Sequence, residues 1–388
     1  MRGPWRAIHD SGDFLIVYTA ARAWLHGVNP YLPHDLAATA QAAGISVTPH
    51  VFVTSPSVYL PPALPIVALF ALMPWIAAKA LWLACLLGLT FWSIVVFARM
   101  ATKSTLPVAS FLLAFAPLHA GLSKGQPSVM VCGFLFLSLF TPQPYVAGLL
   151  LGLAACIKPQ LVMGFFLLAA AQQQYRKLIA ACAVGMVTTG IGVAFLARGW
   201  FPALNSNLRE IVGSSSGLHS GSDPTSWYQL INLHILIPDW LSGTPVEVIA
   251  YAIIVLITTI AAVRAADSSM AAALIASATV LIGYHRFYDA QVLWLGIPAL
   301  LLLTPSRTSP FLWGIFAVFL VPGQTMLALW MGARPANPGL ALLLRHETIA
   351  VVLIWMILAW TAIRLRKPGC GSLPELDREA ELTSLQPI

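Results

Sequence analysis

The amino-acid sequence predicts an all-α, polytopic membrane protein. Three observations carry that expectation. Of 388 residues, 59% are hydrophobic and 9% are charged; mean hydropathy is +0.81; and apolar runs recur along most of the chain. A net charge of +7 and a pI near 9.3 would point to nucleic acid in a soluble chain. Here the basic residues flank apolar runs, their usual place beside a bilayer, so no nucleic-acid partner is expected.

Taken in order, residues 1–57 form a first loop carrying amphipathic helices, residues 58–366 the membrane domain, and residues 367–388 a disordered cytoplasmic tail. Apolar segments fall near 58–75, 77–98, 105–119, 128–141, 145–157, 159–171, 178–197, 247–263, 268–283, 288–303, 311–331 and 347–363. That makes a bundle of roughly 10–12 transmembrane or re-entrant helices, several shorter than the ~20 residues a bilayer requires. Short, proline-broken helices are tolerated where they line a protein-buried or wet cavity, and their clustering between 105 and 171 points to one. A polar loop spans 198–246, and no fixed-period repeat appears. The five cysteines lack metal or redox spacing and read as packing residues.

Arg99 with Lys103, Arg176 with Lys177, Arg264, Arg307 and Arg364 through Lys367 are assigned to the cytoplasm by the positive-inside rule. The 198–246 loop and the Tyr284-His285-Arg286-Phe287-Tyr288-Asp289 turn then face the other side. A full crossing by 58–75 would put residues 1–57 opposite that turn, so either the segment starting at Tyr59 is re-entrant or one of the later short segments does not span; Pro61, Pro62, Pro65 and Pro74 make 58–75 a poor uninterrupted helix and favour such an irregularity.

Ionisable residues near apolar runs are costly and mark sites or pairing partners. Three turns carry them: Ser123-Lys124-Gly125-Gln126-Pro127, Ile157-Lys158-Pro159-Gln160, and the turn from His285 to Asp289. Alternatives stay open for each. Asp13 reads as a helix cap, Lys124 as an interfacial anchor, Gln126 as a partner for broken backbone, and Arg286 with Asp289 as a structural bridge. Trp227-Tyr228 are candidates for stacking on a sugar ring.

Asp13-Phe14 with Tyr18, Arg22 and the Gly27-x-Asn29-Pro30-Tyr31 turn, then Tyr59-x-Pro61-Pro62, Gly125-Gln126 and Lys158-Pro159, resembles the motif order of the family 87 glycosyltransferases. These are GT-C membrane enzymes. The resemblance implies a GT-C-like bundle that moves a sugar, mannose first among the candidates, from a polyprenyl-phosphate donor to a glycolipid or polysaccharide acceptor. It places a multi-pass protein in the bacterial cytoplasmic membrane, with an extracytoplasmic site and the acidic residue, here Asp13, as catalytic base. One carboxylate suits an inverting displacement. Tyr18, Arg22, Tyr59, Lys124, Gln126, Lys158, Gln160, His285, Arg286 and Asp289 are the candidate substrate-binding residues. No cofactor is expected, and without an Asp-x-Asp pair no metal. Family members carry a transmembrane helix ahead of the Asp-Phe pair; residues 1–10 cannot supply one, which points to a start further upstream. A transporter and a non-catalytic lipid-binding protein remain the alternatives.

Overall fold

The computed structural model describes residues 12–100, 105–216, 230–237, 241, 243–265, 267–283, 285–303, 309–321 and 345–364. The 367–388 tail, the tip of the 198–246 loop with Trp227-Tyr228, and Cys370 lie outside the described residues. Among those described, seventeen α-helices and three 3-10 segments form the fold, with no β-strand.

Among the described residues, four helices are long and apolar enough to cross a bilayer: α5 (Trp75–Met100), α11 (Tyr175–Ala194), α13 (Pro245–Arg264) and α17 (His346–Arg364). Their outer faces stay uncovered. Phe91 and Trp92 of α5, Ile179, Met186 and Val187 of α11, and Val255 and Leu256 of α13 are all exposed. Apolar surface on that scale needs lipid as its solvent, which makes this an integral membrane fold.

The remaining apolar helices are short because proline sets their limits. A residue preceding proline is pushed out of the α region, while proline itself suits the first turn of the next helix. Gln126 before Pro127 and Lys158 before Pro159 therefore end α7 (Ala116–Lys124) and α9 (Pro144–Ile157), and the chain restarts as α8 (Pro127–Phe140) and α10 (Pro159–Ala171). The 105–119 segment is likewise broken: α6 (Thr105–Ala114) and α7 meet at 50°. Pro117 has no N–H to offer the Leu113 carbonyl, and the His119 ring nitrogen donates there instead, at 2.6 Å. At 1.5 Å per residue, α8 to α10 reach only about 20 Å, less than the ~30 Å hydrocarbon core.

The irregularity expected in 58–75 is α4 (Ala63–Ala71), nine residues long and too short to cross. It packs on α1 (Gly12–Leu25), ten of whose residues are buried. Two short helices, α2 (Pro33–Ala42) and α3 (His50–Thr54), connect α1 to α4. The buried Asn207 of α12 (Trp200–Ser216) donates to the carbonyls of both Tyr31 and Ser57, tying this N-terminal stretch to the bundle.

Small residues set the closest helix contact. α9 and α11 run side by side at Gly148 and Gly152, where a β-carbon would lie 2.3 Å from the Lys177 carbonyl oxygen and 2.8 Å from that of Ala181. Cys132 and Cys156 pack inside as expected, whereas Cys182 is exposed on the outer face of α11. Completing the bundle, α14 (Ser268–Leu281) is followed by a 3-10 helix at Phe287–Gly296, α15 (Ile297–Leu302) and α16 (Ser309–Ala317).

The helix ends sort into two groups. The ends of α8 and α10 and the starts of α11 and α14 surround one cavity, and Phe97 near the end of α5 stacks on Phe136 close by. The breaks at Gln126 and Lys158 and the His285 turn lie at the opposite ends of these same helices. Replacing Gly148 by Leu is expected to cost about 1–3 kcal/mol through overpacking. Gly185→Leu, at a glycine of the same helix bundle with open space around it, should be near neutral; thermal unfolding in detergent compares the two.

Candidate active site

Gly125 begins the site. Its backbone is left-handed, φ 64°, and a β-carbon would come within 2.9 Å of the Phe14 β-carbon, so glycine alone permits this approach. The Trp82 indole N–H donates to the Gly125 carbonyl at 2.9 Å, and its ring stacks on Phe14, with centroids 4.6 Å apart. Phe14 also stacks on Trp75. These contacts hold the start of α1 against the α7–α8 break and thereby place Asp13, in the first helical turn, beside it. Asp13 is half-buried, and its carboxylate has no hydrogen bond or ion pair among the described residues.

The second part is a buried polar network. Asp289, 2% exposed, accepts on Oδ1 from Lys158 Nζ at 2.6 Å and from the Ser128 hydroxyl at 2.5 Å. Lys158 also donates to Ser128, at 2.8 Å. On Oδ2, Asp289 meets His285 Nδ1 at 3.4 Å and the Arg286 backbone N–H at 3.3 Å. The bridge expected between Arg286 and Asp289 is thus replaced by an ion pair with Lys158. The Lys158 ammonium and both Asp289 oxygens have partners, the condition under which a buried charge is tolerated. The turn is pinned from outside: Ile231 N–H donates to the His285 carbonyl at 2.9 Å and the Asn232 side chain to Gly283 at 2.7 Å.

Tyrosines join the two parts. Tyr59 is held by the Tyr31 hydroxyl, which donates to its carbonyl at 3.0 Å. The Asn29-Pro30-Tyr31 turn is fixed in turn by the Asn29 side chain accepting from Tyr31 N–H. Burial raises the Tyr59 phenol above its ordinary pKa; the carboxylates of Asp13 and Asp289 add to the rise and Arg286 opposes it. Tyr288 feels the same three charges, and Lys158 Nζ lies 5.2 Å from its ring centre. Asp13, Tyr59, Lys158, His285, Arg286 and Asp289 thus meet in one recess, with the buried Gln126 at its edge. The Gln126 Oε1 has no partner among the described residues.

Four candidates stand outside this group. Tyr18 donates to the Met73 carbonyl at 2.9 Å, and Arg22 to that of Ala71 at 2.8 Å. Both satisfy backbone at the end of the nine-residue α4, which has no continuing helix to do so. Gln160 is exposed and lines an outer groove with Met163 and Thr259. Lys124 is half-buried in the last turn of α7, next to the break. Sequence reasoning passed over Ser128 and Trp82; their only signals were a serine one residue past Pro127 and a tryptophan among aliphatic residues of the 77–98 run.

A helical membrane fold with a carboxylate, cations and phenols gathered at helix breaks is the architecture of an integral-membrane enzyme. Residues 58–284 match the model of Glycosyltransferase family 87, more than half of the chain, and the chain belongs to that family. Tyr59, Lys124, Gln126, Lys158 and Gln160 lie within the matched stretch, whereas Asp13 and the 285–289 turn lie outside it. No curated protein and no solved structure matches the chain.

Replacing Asp289 by Ala strands the Lys158 ammonium and is expected to cost about 3–5 kcal/mol, while Lys158→Met with Asp289→Leu should recover most of that loss. Melting temperatures in detergent report both; equal losses would mean that the pair carries no coupling.

Proposed function

We propose that this glycosyltransferase takes its sugar, mannose in the first instance, from a polyprenyl-phosphate donor and passes it with inversion to a glycolipid or polysaccharide hydroxyl. Asp13 is the general base. The observation that carries this reading is a half-buried carboxylate left without a partner among the described residues, beside a second carboxylate, Asp289, that is fully engaged with Lys158. The engaged carboxylate holds the recess together; the other is left to accept a proton.

In the proposed step the acceptor hydroxyl gives its proton to Asp13 as its oxygen bonds to the anomeric carbon. The bond from that carbon to the phosphate oxygen breaks, and the electron pair leaves with the polyprenyl phosphate. Arg286 and the protonated Tyr59 phenol supply positive charge and a donor where that negative charge grows. Lys158 acts through Asp289, orienting the turn that carries Arg286.

Sidedness supports an extracytoplasmic site in a bacterial cytoplasmic membrane. Arg99, Arg176, Arg264 and Arg364 stand at helix ends remote from the recess, and short loops rich in Lys and Arg stay cytoplasmic. A lipid-borne donor suits a recess sunk below the membrane face, because its chain can remain in the bilayer.

The test is transfer of label from a panel of radiolabelled polyprenyl-phosphate sugars into lipid-extractable and polymeric acceptors, using membranes that carry the chain. One donor should serve, and Asp13→Asn should lose about a hundredfold or more in rate while keeping the parent melting temperature. Undiminished transfer by Asp13→Asn would remove the base from Asp13. Absence of transfer from every donor by the folded, inserted protein would overturn the reading.

A further inference from the structure

We infer that the cavity at the end of the bundle opposite the active site is a binding site for a phosphate group. It encloses about 540 Å³ between the α8–α9 turn, the α10–α11 turn and the start of α14, and Ser138, Gln172, Arg176, Lys177, Ser268 and Ser269 are among its lining residues. None of them belongs to the recess around Asp13.

The feature that asks for a ligand is Lys177. Its neighbour Arg176 is exposed, as a basic residue at a membrane surface usually is, but Lys177 is only 7% exposed. The ammonium donates to the Ser138 carbonyl at 3.1 Å and has no carboxylate partner among the described residues. A buried cation with no counter-charge is one of the costliest arrangements in a protein, far costlier than a lysine that snorkels to water. Asp267, the carboxylate next to the lining residue Ser268, is already committed: it caps α14 by accepting from Ser269 N–H at 2.6 Å and lines the neighbouring groove. The backbone of Lys177 is held in place, because its own carbonyl is the atom packed against Gly148.

An anion in the cavity supplies the missing charge. A phosphate group fits the chemistry best: its oxygens accept from the Lys177 ammonium, from the Arg176 guanidinium in fork geometry, and from the hydroxyls of Ser268 and Ser269. Glutamine amides supply neutral donors around the mouth, and the space exceeds one phosphate, so an ester of glycerol size is admitted. The source is either free phosphate or the headgroup of an anionic lipid at this membrane surface.

The experiment measures the melting temperature of the purified full chain under two sets of conditions. In detergent, inorganic phosphate is titrated against chloride at constant ionic strength; in lipid nanodiscs, phosphatidylcholine alone is compared with phosphatidylcholine plus phosphatidylglycerol. Binding to the folded state should raise the melting temperature with ligand concentration. Lys177→Met should abolish the rise while melting no lower than the parent in the absence of ligand, since it removes an uncompensated charge; Arg176→Gln should weaken the rise without abolishing it. A response to inorganic phosphate identifies free phosphate as sufficient, and a response confined to phosphatidylglycerol identifies the lipid headgroup. No response in either arm, or equal responses in the parent and Lys177→Met, overturns the inference. Should Lys177→Met fail to fold, a response unchanged in both Arg176→Gln and Ser268→Ala would overturn it equally.

Discussion

Lys158 and Asp289 stand 131 residues apart in sequence, at a break between two short helices and at the start of a 3-10 helix, and meet at 2.6 Å with Ser128 bonded to both. Each comes from a place where the regular helix has been given up. A charge in either place would be costly inside a membrane without the other, so the two breaks are stable chiefly as a pair. Because Ser128 belongs to the helix that starts at Pro127, a third break is tied into the same knot. The polar cluster exists because these three interruptions satisfy one another.

Around that knot the fold uses two kinds of solvent. Long helices such as α11 spend their apolar surface on lipid, while α1 and α14 are buried among their neighbours. Between them, backbone left open by a break must find a partner inside the protein. The Trp82 indole on Gly125, the His119 ring on Leu113, and Tyr18 with Arg22 at the end of α4 are four solutions of that one problem. Side chains that look catalytic in a sequence are thus in part employed to finish helices.

Charge is arranged differently at the two ends of the molecule. At the recess, carboxylates and cations are mixed, and Asp289 is paired with Lys158. At the other end, arginines lie exposed at helix ends and Lys177 is drawn into a cavity.

By itself the sequence determined the membrane fold, the helix breaks and the family. Hydrophobicity on this scale excludes a soluble core, and the Gln126-Pro127 and Lys158-Pro159 pairs enforce their breaks through local sterics that no tertiary contact need supply. It also marked Asp13, Lys158, His285, Arg286 and Asp289, since ionisable residues near apolar runs are rare enough to notice. Only the tertiary structure decided how they pair. Arg286 is three residues from Asp289, yet Lys158 from a distant break takes the carboxylate; Tyr18 and Arg22 share a motif with Asp13, yet they turn to α4; Gln160 lies two residues past Lys158, yet the helix carries it outward. The reason is that helix breaks are local but partners are not: a buried charge goes to whichever opposite charge the packing brings within reach, and that is set by helices far away in the chain.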